Sequence, residues 1–266
     1  MTAEEPTPES LRTRVRERYG AIATDGCCGS ADSSTPSCCS TNETCSTPET
    51  LGYSAAELAT LPDGADLGLG CGHPTGLAGL HPGEVVVDLG SGAGIDCFLA
   101  ADRVGPEGRV IGVDMTPEMI ARARSLAERS GRRNVEFRLG EIEHLPIADA
   151  SADVVLSNCV INLAPEKGPV YREAFRVLRP GGRLSIADVI ATRPVPAELR
   201  RDPAQWTSCS SGALSREEIV ALLEATGFTD IEVDSSAPAE VADSLRAQRE
   251  IGVVPGTIRA SRPGPP

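Results

Sequence analysis

The stretch Glu84-Val85-Val86-Val87-Asp88-Leu89-Gly90-Ser91-Gly92-Ala93-Gly94-Ile95-Asp96-Cys97 decides how this chain folds. Its first half is a short run rich in β-branched valine, the pattern of a strand buried on both faces. Its second half sets glycine at alternate positions, and the apolar run beyond predicts a helix over Ile95–Arg103. Glycines between a strand and a helix let the backbone turn tightly and approach a ligand closely. The helix N-terminus offers free N–H donors that suit a carboxylate. A dinucleotide fingerprint requires G-x-G-x-x-G. Here Gly90, Gly92 and Gly94 give G-x-G-x-G, with Ile95 in the sixth position. That departure argues against a nicotinamide or flavin dinucleotide.

Downstream, strands and helices alternate. Arg109–Val113 reads as a second strand ending at Asp114, where an acid can accept hydrogen bonds from ribose hydroxyls. Thr116 and Pro117 open a helix that runs to Ser130, with Thr116 as the expected cap. Val135–Leu139 is a third strand, followed by Gly140-Glu141-Ile142 where an adenine would lie. Asp153–Ser157 is a fourth. A helix is expected from about Pro165 to Leu178, stopped by Arg179-Pro180-Gly181-Gly182, before a fifth strand over Arg183–Ile190. A helix with a capping box at Ser215 and Glu218 runs to Thr226. Phe228–Val233 is a sixth strand and residues 251–260 a candidate seventh. Such alternation implies an α/β fold, a three-layer, doubly wound and mostly parallel sheet with helices on both faces. Outside it, Glu9–Tyr19 and Ser54–Leu61 read as short helices, the latter with a capping box of Ser54 and Glu57. Residues 21–50 are rich in Ser, Thr, Gly and Pro and lack large apolar groups, so a mobile segment is expected. The division anticipated is 1–50, a flexible Cys-rich N-terminal segment; 51–192, the nucleoside-binding core; and 193–266, a smaller C-terminal region that completes the sheet.

Composition narrows the function. The chain has 266 residues and a formal net charge of −13, and no Lys or Arg falls between Arg18 and Arg103. A phosphate-rich partner would be repelled there, so no nucleic acid is expected; a cationic small molecule would not be. The acidic, polar N-terminus and the lack of a long apolar run predict neither export nor a membrane partner, hence a cytoplasmic protein. Nine cysteines without an export signal favour reactive or ligating thiols over a disulfide framework. Three of them, Cys71 in LGLGCGHP, Cys159 in LSNCVINL and Cys209 in WTSCSSGAL, lie where this fold would bring them to one spot. Cys159 follows the fourth strand, and ligands of open α/β sheets bind beyond the carboxyl ends of strands. Thiolates are soft ligands, suited to a thiophilic atom. Cys97, on a helix that must pack on the sheet, reads as structural. The spacing of Cys27, Cys28, Cys38 and Cys39 suits no zinc module. His73 reads as a polar loop residue, and His144 as a surface position or a rim of the pocket.

Residues 84–190 resemble the class I adenosylmethionine-dependent methyltransferases. The narrower resemblance is to the arsenite methyltransferases. It rests on LGYSAAEL, LGLGCGHPTGLAGLHPGEVVVDLGSGAGIDCFLAA, VIGVDMTPEMIARAR, NVEFRLGEIEHLP and SNCVINLAPEKGPVYREAFRVLRPGGRLSIAD, and covers roughly residues 51–215. The resemblance implies S-adenosylmethionine as methyl donor and arsenite, or its thiol conjugates, as acceptor. It implies a smaller arsenic-binding region, with Cys71, Cys159 and Cys209 holding trivalent arsenic and serving catalysis. The expected donor contacts are Asp88, Gly90, Ser91, Gly92, Gly94, Asp114, Met115, Glu141, Ile142 and Asn158. The family carries a further cysteine upstream; Cys45 has suitable spacing as a redox partner, although Cys27, Cys28, Cys38 and Cys39 compete. An external thiol reductant of the glutathione or thioredoxin type is implied too, because methylation formally oxidises arsenic. Two alternatives stay open at this level: a methyltransferase for an organic acceptor, and a thiol-rich protein that sequesters metalloid without turnover.

Overall fold

The computed structural model describes residues 6–25, 48–202, 206–236 and 250–265. A single seven-stranded sheet organises them, with strands β1 (Val85–Leu89), β2 (Arg109–Asp114), β3 (Val135–Leu139), β4 (Ala152–Asn158), β5 (Leu178–Ala191), β6 (Thr229–Asp234) and β7 (Val253–Ser261). They lie in the order β3-β2-β1-β4-β5-β7-β6. The first five pair in parallel, whereas β7 runs antiparallel between β5 and β6. The candidate seventh strand is thus an inserted strand, and residues beyond 193 complete the sheet.

Period-two alternation assigns the two faces. Val87, Leu89, Ile111, Val113 and Val155 point into one layer, which also holds Tyr171, Leu223 and Phe228 from helices α6 (Lys167–Val177) and α8 (Arg216–Thr226) and the chain just after α8. Val86, Val110, Val154 and Leu156 point into the other, against α4 (Ile95–Val104) and α5 (Pro117–Ser130). Burial of each such side chain contributes about 1.5–3 kcal/mol, so the strand centres are fixed and the strand ends, where loops emerge, are free to carry chemistry.

Several boundaries differ from expectation for physical reasons. Helix α1 runs from Pro8 to Asp25, past Tyr19, because Ala23 continues its buried face and Arg122 of α5 donates to the Ala23 carbonyl at 2.9 Å. Helix α2 (Ala55–Leu58) has the capping box of Ser54 and Glu57 but ends before Leu61. Strand β5 begins at Leu178, directly after α6, with Leu178 opposite Ala152. The Arg179–Gly182 segment therefore forms an irregularity within the strand and not a separate loop. Two short helices had no strong periodic signal: α3 (Pro74–Leu77) and α7 (Ala197–Arg201), the latter inside the Pro-rich connection. Thr116 occupies the cap position of α5, yet its side chain makes no capping bond. Asp114 substitutes by accepting from the Thr116 N–H at 2.8 Å. Among the described residues no helix is long and apolar enough to cross a membrane.

Candidate active site

A cleft of about 1160 Å³, counting its open mouth, lies beyond the carboxyl ends of β1, β2 and β4. Its floor is the glycine turn. Gly90 adopts φ +66°, and a β-carbon there would sit 2.4 Å from Val160 Cγ2, so only glycine fits. Asp114 holds the turn in place, accepting from Gly92 N–H at 2.9 Å with one oxygen and from Thr116 N–H with the other. A carboxylate has about four acceptor sites, so capacity remains for hydroxyls entering the cleft. Burial raises the Asp114 carboxyl against the pull of those two N–H donors. Ser91 lines the same wall, while its Oγ is buried without a hydrogen-bond partner, packed toward Gly112, Cys97 and Phe137 behind the turn.

Asp88, Gly90, Ser91, Gly92, Asp114, Met115, Ile142 and Asn158 line this cleft. Gly94 does not. It caps α4 at φ +100°, packed against Phe137, and acts behind the turn. Glu141 also turns away, to Arg12 at 3.7 Å and Arg16 at 3.6 Å on α1, while Glu143 takes the wall position. In this structure Glu141 pairs with α1 at the rim of the cleft, where Arg12 is a lining residue. Asn158 is held by a buried network. Its amide donates to Tyr53 Oη, Gly72 O and Asp96 Oδ2, and its oxygen accepts from Cys71 N–H at 3.1 Å. That last bond ties the Cys71 loop to the end of β4.

The structure brings Cys71, Cys159 and Cys209 together. The sulfurs of Cys71 and Cys159 and a carboxylate oxygen of Asp188 lie within 4.8 Å of one another. The Cys209 thiol donates to the Cys159 carbonyl at 3.1 Å. Cys159 and Cys209 both adopt left-handed backbone, φ +57° and +64°. This is uncommon outside glycine and is held in place by the surrounding structure. All three thiols are free. Burial pushes Cys71 up to about 11. At Cys159 the contact with Cys209 lowers the thiol, but contact with Cys71 and burial outweigh it and the net direction is up. Contact with Cys159 and then burial raise Cys209 as well. The resting cluster is a set of neutral thiols.

Three features of this cluster escaped the sequence reading. The first is Asp188, an acid amid the apolar Ile186-Ala187-Asp188-Val189-Ile190 of β5, a pattern that signals a buried charge. Burial raises its carboxyl to about 6, opposed by hydrogen bonds from Val189 and Asn162 and by Lys167. The second is Tyr19 of α1, which lines the cleft and lies against Cys209; burial and the neighbouring thiols push its hydroxyl up. The third is the anchoring of the Cys209 loop. Trp206 Nε1 donates to Leu163 O at 2.9 Å, the Lys167 ammonium sits 4.9 Å from the Trp206 ring centre, and Arg18 donates to Thr207 at 3.1 Å. Of the remaining candidates, Cys97 is buried and donates to Asp88 at 3.2 Å, away from the other thiols. His144 is exposed. His73 stacks on Tyr53 with ring centres 4.1 Å apart and faces Glu57. Cys27, Cys28, Cys38, Cys39 and Cys45 lie outside the described residues.

Against known proteins, residues 80–227 match a family model described as a methyltransferase domain. The chain is 51% identical over 264 residues to an arsenite methyltransferase of Halobacterium salinarum, covering 96% of this chain and 68% of that protein. It is 39% identical over 246 residues to an arsenite methyltransferase of Aquipseudomonas alcaligenes, covering 90% and 68%. Among solved structures, an arsenic(III) S-adenosylmethionine methyltransferase from Chlamydomonas reinhardtii superposes with a TM-score of 0.59 at 33% identity, covering 82% of this chain and 72% of that one.

Proposed function

We infer the function from family membership joined to the geometry of the site: this chain belongs to the arsenite methyltransferases, within the adenosylmethionine-dependent class I methyltransferases. It is a methyltransferase that moves methyl groups from S-adenosylmethionine to trivalent arsenic. The observation that carries the reading is the convergence of three cysteines from three loops: the Cys71 sulfur beside that of Cys159, the Cys209 thiol on the Cys159 carbonyl, and Cys159 itself lining the nucleoside cleft.

The residues fit the donor. The turn at Gly90 packs so closely under Val160 that only glycine fits, which brings its backbone to the cleft wall, and the Asp114 carboxylate there keeps unused acceptor capacity. Bound there, adenosylmethionine supplies a methyl group on a positively charged sulfur. The proposed donor contacts are Asp88, Gly90, Ser91, Gly92, Asp114, Met115, Ile142 and Asn158, with Tyr53 and Asp96, which line the same cleft, holding Asn158.

The proposed acceptor ligands are Cys71, Cys159 and Cys209. Arsenite carries hydroxides, and each neutral thiol that replaces one gives an As–S bond and a water molecule. No net charge enters the buried site, which suits thiols held in their protonated form. The three sulfurs leave arsenic with one lone pair, and the protein's contribution is to aim that lone pair at the methyl carbon. Methylation oxidises arsenic formally. A further thiolate then attacks an arsenic-bound sulfur, a disulfide forms, and the As–S electron pair returns arsenic to the trivalent state. Cys45 is one source of that thiolate, and an external thiol of the glutathione or thioredoxin type is the proposed reductant of the disulfide.

The decisive experiment incubates the purified chain with arsenite, adenosylmethionine and a thiol, then separates the arsenic species. Methylated arsenicals are expected. Their absence from protein that binds adenosylmethionine would return the organic-acceptor alternative.

A further inference from the structure

Asp188 sits among the thiols and has no part in the ligand exchange just described. It is 2% exposed. Its Oδ1 accepts from Asn162 Nδ2 and from Val189 N–H, each at 2.8 Å, and its Oδ2 accepts from Asn162 N–H at 3.3 Å. A carboxylate oxygen lies within 4.8 Å of both the Cys71 and the Cys159 sulfurs. At that distance a negative carboxylate repels negative charge on either sulfur. A buried carboxylate beside sulfur ligands is costly, and it does not help to assemble them. What it can help is a state in which the atom bound to those sulfurs is positive.

We propose that Asp188 is the counter-ion for the positive charge that methyl transfer delivers to arsenic, acting on the transition state and not on arsenite capture. The inference rests on the arsenite methyltransferase reading above. In the step itself the arsenic lone pair forms the As–C bond. The C–S bond of the sulfonium breaks, and its electron pair returns to sulfur, which leaves neutral as adenosylhomocysteine. One unit of positive charge has moved from donor sulfur to an arsenic that carries three thiolates and a methyl group. Before the step, arsenic with three thiolates is neutral and gains little from a nearby anion. After it, the same anion faces a cation across a water-poor gap. An interaction that strengthens only as the reaction proceeds accelerates it. The three N–H donors around Asp188 hold the carboxylate in place, so no reorganisation is needed as charge arrives.

The test uses the full chain and Asp188→Asn, which keeps the shape of the side chain and removes its charge. Three quantities are measured: adenosylmethionine affinity; arsenite affinity, followed by the emission of the single tryptophan, Trp206, on the Cys209 loop; and the single-turnover rate of methyl transfer. Both affinities are expected to stay within about 3-fold of the parent, while the transfer rate falls on the order of 100-fold. The exchange Asn162→Asp/Asp188→Asn keeps the hydrogen-bonded pair and moves the carboxylate across it, and is expected to recover part of the rate. A parental rate in Asp188→Asn overturns the proposal. So does a rate loss matched by lost arsenite affinity, which marks a structural role. If Asn is not accommodated at 188, Asp188→Ser carries the same comparison. A parent that binds both substrates and yields no methylated arsenic overturns the underlying reading, an outcome separate from either variant.

Discussion

The two walls of the cleft are built by different means. The proposed donor wall is mostly backbone. The turn at Gly90–Gly94 is pinned by the Asp114 carboxylate on Gly92 N–H, and β1 and β2, which present it, are interior strands with a parallel neighbour on each side. The proposed acceptor wall is mostly side chain. Its three sulfurs come from a loop before β1, from the residue after β4 and from a loop after α7. Those loops are joined by Asn158 to Cys71, by Cys209 to the Cys159 carbonyl, and by Trp206 to Leu163. A wall of backbone stands as long as the sheet stands. A wall of side chains on separate loops depends on each cross-link. The difference implies that a single substitution can silence the acceptor wall while leaving the donor wall intact.

The most severe expected loss follows from that. Cys159→Ser and Cys209→Ser each replace a soft sulfur with a hydroxyl, and each should reduce methylation of arsenite to background while adenosylmethionine affinity is unchanged. Calorimetry with the methyl donor and separation of arsenic species read the two halves independently. Normal methylation by either variant would break the comparison, because the acceptor wall would then not need its thiols. The matching test of the donor wall is Asp114→Ala. It removes hydrogen bonds to a charged group, each contributing about 1.5–3 kcal/mol, and frees Gly92 N–H. Adenosylmethionine affinity should weaken by about 10-fold or more, with arsenite binding unaffected. An unchanged dissociation constant for the methyl donor would remove Asp114 from the site.

What could be read in the sequence divides along the same line. The β1 turn, the acid ending β2 and the succession of strands and helices needed only local pattern, since a glycine turn between a valine run and a helix has few other meanings, whereas the place of β7 between β5 and β6 depends on long-range pairing. The cysteines at 71, 159 and 209 were legible because each sits next to a strand end or in a distinctive loop, and the fold brings such positions together. The place of Glu141 after β3 is legible in the sequence, but its pairing with Arg12 and Arg16 depends on the packing of α1, which no local pattern encodes. Tyr19 was passed over because α1 is weakly amphipathic and gives no sign of which face it buries. Asp188 carries a local signal, a lone acid in an apolar strand, but only the fold shows that it meets the thiols. Lys167 and Trp206 are separated by the rest of α6 and all of β5 and α7, and their contact depends on the start of α6 meeting the Cys209 loop, which no local pattern encodes.

That contact sets the smallest effect, and the one that most sharpens the comparison. Lys167 is buried, donating to Ala164 O at 2.8 Å and Asn162 O at 3.3 Å beneath Trp206. Beside it, Gly212 passes so close to Asn162 that a β-carbon would fall 2.0 Å from the Asn162 carbonyl. The two hydrogen bonds tie Lys167 to the segment after Cys159, and its contact with the Trp206 ring and the close approach of Gly212 join that segment to the loop carrying Cys209. Lys167→Met keeps the volume and removes the charge, so the protein should fold while the Cys209 loop loosens. The apparent affinity for arsenite should fall several-fold, with the donor constant unmoved. Burial lowers the Lys167 ammonium to about 8, against about 10.4 for lysine in an unfolded chain. Between those values the unfolded chain holds the proton and the folded chain does not, so this residue makes the parent more stable as pH rises from about 8 to about 10.4. The variant lacks that slope. Its Tm relative to the parent should therefore be highest below pH 8 and decline above it. A Tm difference that is flat across this range would mean that Lys167 is not buried as a charge. An arsenite affinity equal to the parent's would mean that the Cys209 loop is fixed without it, and that the acceptor wall is as rigid as the donor wall it is contrasted with.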